Sequence, residues 1–509
     1  MPTFTAPDGT HLAYHLTGTG EPLLCLPGGA MRASEYLGDL GGLSAHRQLV
    51  LLDLRGTGAS GTPADEDSYR CARQVADVEA LRVHLGLDRV DVLAHSAGGN
   101  LGILYAAAHP DRVRSLALIT PTAWEAGVLI APEDRLAAAR LRAGETWFTE
   151  AYAAYEARLA GQGTEVSVDP FFYGRWDDAA RAHAAADADQ RNPAAAARYI
   201  DPQHVDGPAV RKALAALEAP VLVLAGELDG APDPVKAAEI AALFRHGEVA
   251  VQAGGGHFPW LDDPRGFVRT VAAFLDPAVH GVRLAGGNRI AYRVWGDPAA
   301  PPVVLLHGRS MNSADWTGIA EDLSATRRVY ALDTRGHGLS DWPGDYAYPR
   351  LALDVGEVMD ALGLDRIDLV GHSMGGAIAL QVAQARPEQI ARLVLEDALP
   401  PFPIVPPRPA EPRPPQEETD ALAFDWDVVP ATDEGANHPD PEWEAGLAKI
   451  TAPVLVIWGG EASFLPGAGQ RELAELIPGA RRVTIPVGHL IHRNDPTGFL
   501  AELRGFGIY

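Results

Sequence analysis

The feature that most constrains this 509-residue chain is that it repeats itself once. LLCLPGG (23–29), VLLDLRGTGAS (50–60), VDVLAHSAGG (90–99), PVLVLAGELD (220–229) and GGGHFPW (254–260) return in the same order. Their counterparts are VLLHGRS (304–310), VYALDTRGHGLS (329–340), IDLVGHSMGG (367–376), PVLVIWGGEAS (453–463) and PVGHLIH (486–492). Gly28 and Gly308 lie 280 residues apart, as do Asp53 and Asp333, while Ser96 and Ser373 lie 277 apart. His257 and His489 are separated by only 232, so the second copy is 45 residues shorter between its serine and its histidine. A repeat of this length is a duplicated domain, and a chain of this size exceeds one ordinary core. The expected domains are 1–277 and 278–509, joined near LDPAVHGVRLAGG (275–287) by a short linker that is not rich in Gly and Ser.

Most of the repeated segments are apolar runs without polar alternation, the pattern of strands buried on both faces of a parallel sheet. Helical stretches such as CARQVADVEALRVHLG (71–86) and RLALDVGEVMDALG (350–363) separate them. Alternating strand and helix predict an α/β class with a mostly parallel, doubly wound sheet in each half. A formal charge of −25 disfavours nucleic acid or an anionic membrane surface as partner. No apolar run reaches the ~18 residues of a membrane span. The N-terminal segment lacks the pattern of a signal peptide, and two cysteines, Cys25 and Cys71, make no disulfide framework. A cytoplasmic protein acting on a small molecule is expected, with oligomeric state left open.

Each copy carries a strand, a sharp turn centred on serine, and an alanine-rich helix. The second reads GHSMG (371–375), a full G-x-S-x-G, and the first AHSAG (94–98), with Ala94 in place of the first glycine. Such a turn strains the serine so that its hydroxyl stands free above the sheet, and small flanking residues let strand and helix pass closely. With these elbows, the D-x-R-G-x-G-x-S segments (Asp53 to Ser60, Asp333 to Ser340) and the His307–Gly308 turn, both halves resemble the α/β-hydrolase superfamily over nearly the whole chain. The first copy, with DLRGTGAS and its PGG turn, looks most like the proline-iminopeptidase branch, though its histidine context is too generic to carry peptidase specificity over. The second resembles a generic serine hydrolase of the fold.

The resemblance implies Ser96 and Ser373 as nucleophiles, with His257 and His489 as general bases, each after the last strand and before an Asp-Pro pair. Backbone donors of the oxyanion hole fall by motif position at Gly29 and Ala97 in the first copy, and at Arg309 and Met374 in the second. In the first copy the strand PVLVLAGELD ends in Asp229, the expected acid. The second has Ser463 there, which supplies no charge. Its sixth strand, RLVLEDALP, ends in Glu396 and Asp397, and Asp397 follows Ser373 by 24 residues, a location some branches of the superfamily use. The same spacing in the first copy lands on Thr120. Asp397 is therefore the expected second acid, with Glu396 and Glu461 in reserve and loss of the acid as the alternative. His492 is read as a lining or surface residue.

Lids are expected after strand six. The first spans about 121–216, with Trp124, Trp147, Phe148, Phe171, Phe172, Tyr173 and Trp176 forming its own core or lining a pocket. The second, about 398–449, opens with a proline-rich, extended stretch, and Trp426 and Trp443 are candidates to anchor its end over the site. The expected function is hydrolysis of an ester, thioester, lactone or small amide through an acyl-enzyme. The alternatives are catalysis by one copy only, or a binding protein on a retained hydrolase fold. Neither a metal-ligand spacing nor a dinucleotide fingerprint occurs in the sequence, so no cofactor is implied.

Overall fold

A computed structural model describes residues 1–201, 205–403, 405–420 and 422–509. The chain divides into two compact units, Met1–Leu275 and Asp276–Tyr509. In unit 1 the strands are β1 (Thr3–Thr5), β2 (His11–Thr17), β3 (Pro22–Leu26), β4 (Gln48–Leu52), β5 (Val90–His95), β6 (Val113–Ile119), β7 (Val221–Gly226) and β8 (Gly247–Gln252). In unit 2 they are β9 (Val279–Arg283), β10 (Arg289–Trp295), β11 (Pro302–Leu306), β12 (Arg328–Leu332), β13 (Ile367–His372), β14 (Ile390–Glu396), β15 (Val454–Trp458) and β16 (Arg481–Thr484).

Both sheets have one topology. Their spatial orders are β1-β2-β4-β3-β5-β6-β7-β8 and β9-β10-β12-β11-β13-β14-β15-β16. An antiparallel hairpin opens each sheet, and every pair from β4–β3 and β12–β11 onward is parallel. All six residues of β5, of β7 and of β13 are buried, because helices cover both faces. The order reverses beside β3 and β11, and the crevice beyond the strands' C-terminal ends at such a switch is where open α/β sheets bind ligands.

The D-x-R-G-x-G-x-S segments are structural devices in both units. Asp53 accepts from the Ser34 amide at 2.9 Å and the Ala59 amide at 2.9 Å, and Asp333 accepts from the Ser313 amide at 2.6 Å and the Leu339 amide at 2.8 Å. Each buried aspartate thereby ties the loop after the third strand to the loop after the fourth. Arg55 and Arg335 form two-pronged pairs with Asp77 and Asp354, at 2.5 and 2.6 Å and at 2.5 and 2.9 Å. Buried charges of this kind are tolerable because they are paired and hydrogen-bonded.

Between β6 and β7 unit 1 inserts a helical lid, with helices including Pro132–Arg140, Phe148–Leu159, Asp178–Ala185 and Gly207–Ala215. Ala151, Ala154, Tyr155 and Phe171 form a core of its own, with Trp147 and Phe148 packed against it. In unit 2 the described residues from Pro400 to Pro415 carry no regular structure, and the helices Val428–Asn437 and Pro441–Gly446 follow. Trp443 is buried in the unit's main core, where Trp426 also packs. Among the described residues neither tryptophan lines the cavity at Ser373, so their expected role over the site gives way to a role in the core. Core packing wins because Tyr348 offers Trp443 an aromatic partner, with ring centres 5.6 Å apart.

Candidate active site

Ser96 and Ser373 each follow the fully buried central strand and precede a helix, with φ of 53° and 52°. A left-handed conformation at a non-glycine residue costs about 1–3 kcal/mol and persists only where the surroundings enforce it. Enforcement comes from close packing: a Cβ on Gly98 would stand 2.5 Å from the Pro27 carbonyl, and one on Gly375 would stand 2.4 Å from the Leu306 carbonyl. The alanine at the first elbow position in unit 1 has its own accommodation. A Cβ on Gly102 would meet the Ala94 methyl at 3.0 Å; the matching positions in unit 2 are Ala379 and Gly371, and a Cβ on Gly371 would stand 2.4 Å from the Gly375 carbonyl. Each unit keeps one glycine of the pair, on the helix in unit 1 and on the strand in unit 2.

In unit 1, His257 Nε2 and Ser96 Oγ are 2.8 Å apart, and His257 Nδ1 and Asp229 Oδ2 are 2.7 Å apart. Asp229 also accepts from the Ala231 amide at 2.9 Å and is 1% exposed. The Thr120 hydroxyl donates to the His257 carbonyl at 2.9 Å, fixing the loop that carries the imidazole. His95, next to the serine, is held between the His257 carbonyl at 2.9 Å and the Tyr36 hydroxyl at 2.6 Å, which in turn accepts from the Gly28 amide at 2.7 Å. Burial pushes its pKa well below that of a free histidine, so His95 stays neutral.

Unit 2 places His489 Nδ1 2.6 Å from Asp397 Oδ2, and Asp397 is fully buried. The Gly459 amide donates to its other oxygen at 3.0 Å, and the Ser463 hydroxyl donates to Oδ2. Ser463, where the other unit has Asp229, hydrogen-bonds this carboxylate instead of replacing it. Among the described residues the Ser96–His257 bond has no counterpart between Ser373 and His489, although both line one cavity.

The reserve acids stand elsewhere. Glu461 is exposed on a short 3-10 turn, Gly460–Ala462. Glu396 is fully buried and bonded to His492, whose Nδ1 lies 2.8 Å from Glu396 Oε1 and whose Nε2 lies 3.0 Å from Asp315. His492, expected as a lining or surface residue, is 3% exposed and forms a buried charge bridge. Burial alone would lower its pKa, but the carboxylates of Glu396 and Asp315 outweigh it and lift it to about 9. Burial would raise Glu396, and the His492 charge reverses that to a net lowering. The sequence marked Glu396 through its neighbour Asp397; Asp315 carried no signal, being 177 residues from its partner.

Gly29 and Ala97 line the cavity with Ser96, and Arg309 and Met374 line the cavity with Ser373. These are the expected oxyanion positions. Trp124, Phe172 and Tyr173 of the first lid line the same cavity as Ser96, whereas Trp147 and Phe171 pack in the lid.

Serine, histidine and carboxylate at the C-terminal edge of a doubly wound sheet, with the serine on a strained strand-to-helix turn, is the arrangement of the α/β-hydrolase class. The profile described as alpha/beta hydrolase fold matches residues 21–264 and 301–426, and the chain belongs to this family. A 3-hydroxybutyrate-oligomer hydrolase of Cupriavidus necator is 35% identical over 120 residues, 23% of this chain and 41% of its own length. A non-heme chloroperoxidase of Streptomyces lividans is 39% identical over 123 residues, 24% of this chain and 45% of its own. The chain thus spans less than half the length of these curated relatives. An sn-1-specific diacylglycerol lipase of Mus musculus is 25% identical across 42% of this chain and 82% of its own. Among solved structures, a hydrolase from Pseudomonas aeruginosa is 27% identical with a TM-score of 0.40, covering 46% of this chain and 99% of its own. The match to the family does not single out the proline-iminopeptidase branch. No described helix is long and apolar enough to cross a membrane.

Proposed function

We propose that the chain is a serine hydrolase of esters, thioesters, lactones or small amides, with one active site in each unit. The observation that carries this reading is the unbroken Ser96–His257–Asp229 relay of 2.8 and 2.7 Å beneath a strained serine. Ser96 Oγ adds to the carbonyl carbon while His257 Nε2 takes its proton, and Asp229 holds the Nδ1–H and stabilises the imidazolium. The amides of Gly29 and Ala97 receive the oxyanion, each such donor being worth about 3 kcal/mol. The imidazolium then returns its proton to the leaving group, and water, activated by the same histidine, releases the acid. In unit 2, Ser373, His489 and Asp397 take these roles, with Arg309 and Met374 as donors. Relatives named hydrolase and lipase agree with the class of reaction.

A second reading, catalysis by unit 1 alone, is favoured by the missing bond between Ser373 and His489. Intact-mass analysis after labelling with a fluorophosphonate distinguishes the two. Two adducts on the wild-type chain, one lost in Ser96→Ala and the other in Ser373→Ala, support two sites. One adduct assigns catalysis to one unit. No adduct on folded protein overturns the hydrolase reading and leaves a binding protein on this fold.

A further inference from the structure

The chain carries a net charge of −25, yet the wall around each candidate nucleophile holds more guanidinium than carboxylate. In unit 1 the cavity of about 790 Å³ that contains Ser96 is lined by Arg32, Arg135, Arg158 and Arg191, against Asp169 and Asp187. Asp187 is already shared, bonded by Arg191 at 2.8 and 2.6 Å and approached by Arg32 at 3.3 Å. Arg135 and Arg158 make no ion pair with a described carboxylate. The smaller cavity of about 420 Å³ at Ser373 repeats the imbalance with different residues. There Arg309 and Arg408 each donate through Nη1 to one oxygen of Asp433, at 2.7 and 2.9 Å. The Asn437 side chain clamps the backbone of Arg408, accepting from its amide at 2.8 Å and donating to its carbonyl at 3.0 Å. That clamp fixes the proline-rich stretch where Arg408 lines the cavity.

Two cations sharing one anion leave a positive charge that water and substrate must balance. Guanidinium groups pinned by a shared aspartate have already lost much of their rotamer freedom, and their remaining N–H groups match a carboxylate in a fork. Both cavities are partly open and Arg158 is exposed, so solvent and salt screen the attraction in part. We propose that both sites take substrates bearing a carboxylate on the acyl or leaving part, at a distance from the bond that is cleaved. This rests on the hydrolase reading above.

The test compares monoethyl adipate with ethyl hexanoate, which differ at the far end by a carboxylate against a methyl. Ser373→Ala protein reads the first site and Ser96→Ala protein the second. The expected result at each site is a kcat/KM higher for the monoanion by about tenfold or more, shrinking as salt is raised. Arg135→Gln or Arg158→Gln in the first background, and Arg408→Gln in the second, should shrink the ratio chiefly through KM for the anion. Equal rates, preference for the neutral ester, or a preference untouched by these variants and by salt overturns the proposal. If neither ester is cleaved, the fluorophosphonate adducts alone decide the hydrolase reading, and calorimetric titration of wild type with adipate and adipamide decides the charge question. Salt-sensitive binding of the dianion alone sustains it, and binding of neither, or of both equally, overturns it.

Discussion

The two units bring a carboxylate to Nδ1 of their histidines from the ends of different strands, and the hydroxyl at the other strand's end has a different partner in each. In unit 1, β6 runs into Thr120, whose hydroxyl holds the His257 carbonyl at 2.9 Å, and the carboxylate arrives from beyond β7 as Asp229. In unit 2, β14 runs into Asp397, which supplies the carboxylate at 2.6 Å, and the hydroxyl arrives from beyond β15 as Ser463. Thr120 and Asp397 even share a left-handed backbone, with φ of 42° and 40°. Because β6 and β7, like β14 and β15, are hydrogen-bonded neighbours, a carboxylate following either strand lies within reach of Nδ1. Each histidine has a buried carboxylate at Nδ1, delivered from a different strand.

The largest effect that could break this comparison is loss of either carboxylate. Asp229→Asn, read in Ser373→Ala protein, and Asp397→Asn, read in Ser96→Ala protein, are each expected to lower kcat by about 10³–10⁴. A much smaller loss in the second would mean that Asp397 is not the acid. Next in size is relocation. Adding Thr120→Asp to Asp229→Ala should restore roughly ten- to a hundredfold of the lost kcat, since relocated charge regains orientation only in part; zero recovery would show the strands not to be equivalent. Ser463→Ala removes one hydrogen bond to a charged group, worth about 1.5–3 kcal/mol. Labelling at Ser373 should slow by about tenfold or more in this variant, while labelling at Ser96 is unchanged.

The smallest effect is one of pH. His492 is raised in the folded chain to about 9, above the ~6.5 of an unfolded histidine. Its contribution to stability is whole below pH ~6.5 and is lost as pH climbs through about 9. His372 in unit 2 and His183 in unit 1, both pushed down to about 4 chiefly by burial, act in the other direction and weaken their units as pH falls below ~6.5. Hydrogen exchange of the full chain, corrected for intrinsic rate, should show peptides around β13 and β14 losing protection between pH 6.5 and 8.5 more than those around β5 and β6. His492→Trp, which installs the residue found at the matching Trp260, should abolish that difference.

Much of this arrangement was legible in the sequence because it depends on local signals. The repeated order of buried strands gave the doubly wound sheets, and the elbows placed Ser96 and Ser373. A fixed spacing of 24 residues drew attention to Asp397 where the usual position held serine. The illegible parts depend on contacts between distant segments. Ser463 looked like a lost acid, and its hydroxyl bond to Asp397 spans 66 residues. His492 looked peripheral because its two carboxylate partners come from the end of β14 and from the loop after β11. Apolar residues of the lids carry no period that separates lining from filling, so Phe172 and Phe171 could be assigned to cavity and core only by their neighbours.

The exchange of glycine and alanine at the two elbows limits how these halves could ever be recombined. A crossover between the matching positions of Ala94 and Gly102 would join a strand from one half to a helix from the other. One product would set Ala94 against the alanine of position 379, two methyls in a space sized for one. The reciprocal product would carry glycine at both positions. Overpacking of this kind costs about 1–3 kcal/mol, and glycine in place of alanine inside a helix about 1 kcal/mol. The two elbows are therefore interchangeable as whole strand–turn–helix cassettes and not as parts.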